Sequence, residues 1–286
     1  MWRGIKRVGL ALIAVFFALF LMAFYWIDFR TPTDQIGEKL NHLPYQHHTY
    51  QTQGVPIHYV ETGDTSAQVI LFIHGAPGDW SAFAGLMRDP ILQQSAHLIS
   101  VDRPGYGHSA FGKPITSIRK QAEVLMPLLE RLGKPVILVG HSFGGPIAAQ
   151  LAALSPERIR AQVLIAPAID PNHERIFWLS YPVGEPWLRW TLPPVWQVAN
   201  DEKLTHVSEL RQLEPIWDIL EVPTLFLHGE KDYLVPIENS YYGWERLQEN
   251  DIQLDTLFLP EHNHLIPFTH PEIVRDALLP YLQPQN

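Results

Sequence analysis

The run Gly140-His141-Ser142-Phe143-Gly144 sets a serine between small residues two positions to either side. A serine hydroxyl is a weak nucleophile at its ordinary pKa. Covalent chemistry at Ser142 therefore needs a base, and the base needs an orienting carboxylate. The setting suits that role, because an apolar run, Val136–Val139, precedes the motif and a helical stretch, Phe143–Leu154, follows it. A strand turning sharply into a helix exposes the serine Oγ, and glycines on both flanks keep the turn from clashing. The helix start also aims its partly positive end at developing negative charge. A glycine-rich turn without chemistry is the alternative.

The elements that must hold Ser142 follow from hydrophobic patterning. Val69–Ile73, His97–Val101, Val136–Val139, Ala161–Ile165 and Thr224–Leu227 are short apolar runs that stop at polar or small residues. Such runs read as strands buried on both faces of a parallel sheet. Helical stretches at Ser117–Leu132, Phe143–Leu154, Ile237–Leu247 and Pro271–Leu282 alternate with them. The alternation predicts a mostly parallel α/β sheet with right-handed crossovers. Tyr45–Gln53 and Val55–Glu61, parted by Gly54, predict a leading antiparallel hairpin. From about Ala168 to Trp217 the rhythm breaks. That stretch holds five prolines from Pro171 to Pro194, with Trp178, Trp187, Trp190 and Trp196. A connection of about fifty residues should fold as an inserted cap, with a bare packing layer as the alternative.

The amino terminus is a different material. Val8–Ile27 is an apolar run of about twenty residues without one charge, preceded by Arg3, Lys6 and Arg7 and ending in Tyr25-Trp26. Its length matches a bilayer core, and its bulky end does not suit a signal cleavage site. We expect residues 1–30 to be a single-pass anchor, residues 31–44 a polar tether, and residues 45–286 a domain with its cap at about 168–217. The charges before the span predict a cytoplasmic amino terminus and an exported domain, periplasmic in a bacterium. A cleaved signal is the rival.

Composition excludes other classes. The 286 residues are 46% hydrophobic and 18% charged, too apolar for a disordered chain. No cysteine is present, which removes disulfide scaffolds, zinc fingers and thiol nucleophiles. The net charge of −9 argues against nucleic acid as a partner. Gly105-Tyr106-Gly107-His108-Ser109-Ala110 mimics a dinucleotide fingerprint, yet Gly112-Lys113-Pro114 follows where a helix must open. The 14 histidines form no metal-ligand motif, since His262 and His264 lack an obvious third ligand. We expect neither metal nor cofactor.

Two further loops carry a resemblance. His74-Gly75-Ala76-Pro77-Gly78 resembles an HGxPG loop, and Asp102-Arg103-Pro104-Gly105-Tyr106-Gly107 a DxPGxG loop. With the serine turn, they make the chain from about residue 45 onward resemble the α/β-hydrolase fold superfamily, on its serine-nucleophile, capped, esterase- or lipase-like branch. The resemblance implies a sheet of the eight-stranded type flanked by helices, with a helical cap inserted. Haloalkane dehalogenases and epoxide hydrolases of this fold carry Asp where this chain has Ser142.

The family's chain order is nucleophile, acid, histidine. It implies Asp232, after the Thr224–Leu227 run, as the acid, with Glu230 as runner-up. It implies His264 as the base, with His262 as competitor. Backbone N–H groups of Phe143 and Ala76 should form an oxyanion hole, Pro77 having none to give. His74 is expected to brace its loop rather than ionise. It stands with His141, Trp178 and Trp187 among the candidates for substrate binding. The expected function is membrane-anchored hydrolysis of a small-molecule carboxylic ester with an apolar acyl or aromatic group. A proline-releasing aminopeptidase, using Glu174, Glu185 or Glu202 for the substrate amine, and a carbon–carbon bond hydrolase are alternatives. A silent binding module is the alternative of another class. Oligomeric state is not legible.

Overall fold

Along β3 (Gln68–Ile73) the side chains alternate between two separate cores: Val69, Leu71 and Ile73 join one, Ile70 and Phe72 the other. A strand with apolar residues on both faces needs cover on both, and this dictates three layers. The computed structural model describes residues 30–283, together with Val15. The remaining strands are β1 (Tyr45–Thr52), β2 (Val55–Gly63), β4 (Ala96–Val101), β5 (Val136–His141), β6 (Ile159–Ile165), β7 (Thr224–Gly229) and β8 (Leu254–Leu259). Their order in the sheet is β1-β2-β4-β3-β5-β6-β7-β8. The sheet is mixed: β2 runs antiparallel to both β1 and β4, and all other pairs are parallel.

The helices that concern the site are α1 (Ile118–Glu123), α2 (Met126–Leu132), α3 (Gly144–Leu154), α4 (Ser180–Gly184), α5 (Pro186–Arg189), α6 (Pro194–Leu213), α7 (Glu238–Leu247) and α8 (Pro271–Leu282). The single helix expected over 117–132 is two, because Pro127 has no N–H to continue the first and opens the second instead. Helices α4 to α6 fill the connection between β6 and β7. α4 and α5 bury no residue. α6 buries a stripe through Val195, Val198, Glu202, His206, Leu210 and Leu213, spaced for one helix face.

Residues 31–44, expected as a polar tether, pack against the domain. Thr31 N–H donates to Asp79 Oδ2 at 2.7 Å, and Ile36 and Leu40, one turn apart, are both fully buried. Two apolar residues at that spacing share a face, which here finds a core. Among the described residues no helix is long and apolar enough to cross a membrane. The expected span, Val8–Ile27, lies outside the described residues.

Candidate active site

Ser142 occupies the turn between β5 and α3 with φ of 54°, left-handed backbone that a residue bearing Cβ adopts rarely. Its N–H donates to Ile165 O at 3.0 Å, and its carbonyl accepts from Gly145 and Ala168 N–H. The flanking glycines are obligatory on contact distances alone. A Cβ on Gly140 would lie 2.6 Å from Gly144 O, and one on Gly144 only 2.1 Å from Ile73 O.

The chain brings Asp232 and His264 together. Asp232 sits on the loop after β7 and His264 on the loop after β8, with His264 Nδ1 2.6 Å from Asp232 Oδ2. A carboxylate only accepts, so the ring proton sits on Nδ1 and Nε2 keeps its lone pair. Asp232 Oδ1 accepts from the Leu234 and Val235 N–H groups, both at 2.8 Å. Burial alone would raise the carboxyl, but hydrogen bonds from His228 and His264 outweigh it and hold Asp232 well below the ordinary carboxylate range.

Ser142 and His264 line one cavity of about 780 Å³, together with Ala76 and Phe143. Among the described residues neither the Ala76 nor the Phe143 N–H donates to a protein acceptor. Two free backbone donors beside the serine hydroxyl can hold a developing oxyanion. Chemically, the arrangement can attack an acyl carbon, shuttle one proton and stabilise the tetrahedral charge.

Comparison with known proteins fixes the kinship. A family model described as alpha/beta hydrolase fold matches residues 68–186, and one described as prolyl oligopeptidase family matches residues 133–278. The chain belongs to the α/β-hydrolase fold superfamily. It is 31% identical over 144 residues to the dihydrolipoyllysine-residue acetyltransferase component of the acetoin cleaving system of Cupriavidus necator, covering 50% of this chain and 37% of that one. The chain thus spans well under two thirds of that relative's length. It is also similar to lipase LipV of Mycobacterium tuberculosis, 31% identical over 200 residues and covering 66% of each. The structure of a bacterial membrane phospholipase A superposes with a TM-score of 0.66 at 21% identity, covering 99% of this chain and 98% of that one. That likeness establishes the fold alone.

In this α/β-hydrolase, four expected substrate contacts lie elsewhere. His74 is fully buried and does not line the cavity. Its Nδ1 donates to Gly75 O at 2.7 Å and its Nε2 accepts from Arg103 N–H at 3.0 Å. Burial holds it well below the ordinary histidine value, so it braces its loop as a neutral ring. His141 is likewise off the cavity wall, and its Nε2 donates to His264 O at 3.1 Å. Burial, with the charge of His264 adding, pushes His141 down to about 3. Trp178 and Trp187 are 66% and 68% exposed and do not line the cavity. They sit on or beside the two short helices that bury no residue, whereas Trp196, on α6, lines the wall.

Three contributors were not singled out from sequence. Arg103, the second residue of its loop, is fully buried and grips Glu202 of α6 with both Nη atoms, at 2.7 and 3.2 Å. Its Nε and Nη2 also donate to His74 O and Gly75 O, so one guanidinium ties the cap to the loop bearing Ala76. Glu202, weighed as a binder of substrate amine, is consumed by this clamp. Glu174 is spent on Lys203 and His206, and Glu185 does not line the cavity. His228 is the second addition: Nδ1 accepts from Ser240 Oγ at 2.7 Å, and Nε2 faces Asp232 Oδ2 at 3.2 Å. His206, on the cavity wall, is the third. Only the fold brings any of these to the site; no motif marks them.

Proposed function

We propose that this chain is a serine hydrolase that cleaves a carboxylic ester with an apolar acyl or aromatic group through an acyl-enzyme. One observation carries the reading: Ser142 and His264 share a largely apolar cavity, and His264 is fixed by a buried aspartate. In this mechanism His264 Nε2 takes the Ser142 proton as Oγ attacks the ester carbon. Ala76 and Phe143 N–H groups hold the oxyanion, and His264 returns the proton to the leaving alcohol. Water, deprotonated by the same ring, then releases the acid. Asp232 keeps the imidazolium in register throughout. The lipase among the relatives supports ester chemistry.

The match to the prolyl oligopeptidase family favours a second reading, cleavage of an aminoacyl amide. Against it, no carboxylate among the described residues lines the cavity to bind a substrate amine. The apolar run Val8–Ile27 supports a bilayer anchor with the amino terminus cytoplasmic and the domain exported.

The test is a panel of esters, aminoacyl amides and diketones on detergent-solubilised full-length protein, with fluorophosphonate labelling. Esters should turn over, the probe should add once at Ser142, and Ser142→Ala should lose both. Labelling of Ser142→Ala overturns the nucleophile; loss of activity in His262→Ala but not His264→Ala overturns the base. Carbonate-resistant membrane pelleting, released by deleting residues 1–30, checks the anchor. A mature chain starting near Thr31 would make the segment a cleaved signal instead.

A further inference from the structure

A second imidazole forms part of the cavity wall. His206 lies on the buried stripe of α6, is 1% exposed, and lines the cavity shared by Ser142 and His264. Its ring stacks on Phe143, the residue after Ser142, with centroids 4.4 Å apart. Nδ1 faces Glu174 Oε2 at 3.2 Å, and Glu174, itself buried, also pairs with Lys203. Burial would raise the Glu174 carboxyl, but His206 and Lys203 hold it below its ordinary value. Neither ring nitrogen of His206 makes a well-aligned hydrogen bond among the described residues: Nδ1 has the Glu174 carboxylate in ion-pair range, and Nε2 has nothing. Buried polar atoms are nearly always partnered, so a bare one on a cavity wall marks where a ligand's polar group belongs.

The carboxylate decides what that group is. With a neutral ring the proton favours the nitrogen facing Glu174, which leaves a lone pair on Nε2. A hydroxyl can donate to that lone pair, and can also accept if the ring gains a second proton. The stack sets the ring against Phe143, the neighbour of Ser142 in the chain.

We propose that His206, oriented by Glu174, is a substrate-binding residue that takes a hydroxyl on the acyl chain, so that the preferred substrates are hydroxyacyl esters. This rests on Ser142 being the nucleophile of an esterase. A site built to bond a hydroxyl discriminates strongly against the analogue without it, because its polar atom is then left bare.

The experiment compares nitrophenyl esters of one alkanoic acid with and without a hydroxyl, moved along the chain carbon by carbon. The full-length protein should favour the best hydroxyacyl ester by about tenfold or more in kcat/KM. His206→Phe, which keeps the stack, should bring that ratio to about one, and His206→Gln should restore part of it. Melting temperature and fluorophosphonate labelling report folding of each variant. If His206→Phe does not fold, Glu174→Gln and His206→Gln carry the test, and each should lower the ratio. A native ratio near one at every position, or one that survives these changes, overturns the proposal. A native chain that cleaves no ester refutes the esterase reading instead. The subsite is then decided by calorimetry on Ser142→Ala with the free hydroxy acids and their alkyl counterparts. Tighter binding of the hydroxy acid, lost in the His206→Phe double variant, supports the proposal, and equal binding overturns it.

Discussion

Replacing Glu202 by leucine strands a guanidinium. Arg103 and Glu202 are both fully buried, and Tyr106 Oη and Gln121 Nε2 donate to the same carboxylate at 2.6 and 2.8 Å. Removing one partner of such a pair costs about 3–5 kcal/mol, because the remaining charge stays out of water. Taking about 4 kcal/mol and roughly 2–4 °C per kcal/mol for a domain of this size, Tm should fall by roughly 8–16 °C. Activity should fall with it. Arg103 also holds the carbonyls of His74 and Gly75, so a displaced guanidinium unseats the Ala76 N–H; loss of one oxyanion donor costs of order 10²–10³ in kcat. The decisive arm is the double variant Arg103→Met/Glu202→Leu, which removes both charges. Replacing a buried pair by apolar side chains is often near neutral, so the double variant should melt above the single one. Differential scanning fluorimetry and ester kinetics read both quantities. A Glu202→Leu chain that melts within about 2 °C of the parent would show the clamp to be solvated, and a double variant below both singles would show no coupling.

Asp232→Asn should keep the fold and lower kcat by of order 10⁴, through the wrong tautomer at His264, measured on the best ester. Trp196→Ala should change kcat/KM unequally along a series of acyl lengths, by roughly 1–3 kcal/mol at the most affected one. Trp178→Ala and Trp187→Ala, whose side chains face solvent, should leave the series flat. His141 titrates near 3 in the folded chain, against roughly 6.5 unfolded. As pH falls below that unfolded value the unfolded chain binds a proton that the native one refuses, so stability declines on the acid side by about 1.4 kcal/mol per pH unit for this group. His141→Gln should remove one proton's worth of slope in urea unfolding between roughly pH 4 and 6.

The strands were legible because burial on both faces leaves an unambiguous apolar run: Val69–Ile73 and Thr224–Leu227 lie inside β3 and β7. The serine turn was legible for a different reason, since its geometry admits few residues at Gly140 and Gly144. Side-chain direction in the cap was not. Trp178, Trp187 and Trp196 have the same chemistry and similar prolines nearby, and only the packing of α6 distinguishes the one that turns inward. Charge pairing was equally hidden. Glu202 and Arg103 are 99 residues apart in the chain, and neither stands in a pattern that announces a partner.

The clamp divides the insertion into two mechanical parts. Swinging α6 outward would pull Glu202 from Arg103 and leave a bare cation in the core, a penalty no turnover cycle absorbs cheaply. The front half is tied to α6 through the buried Glu174, which pairs with Lys203 and His206, and Arg175 reaches the opposite rim with one hydrogen bond to Tyr233 O at 2.9 Å. Leu179 on that half and Leu234 on the far rim both line the cavity and face solvent. With α6 latched by Arg103, any widening of the cavity mouth costs less at the exposed side chains of the front half than at α6.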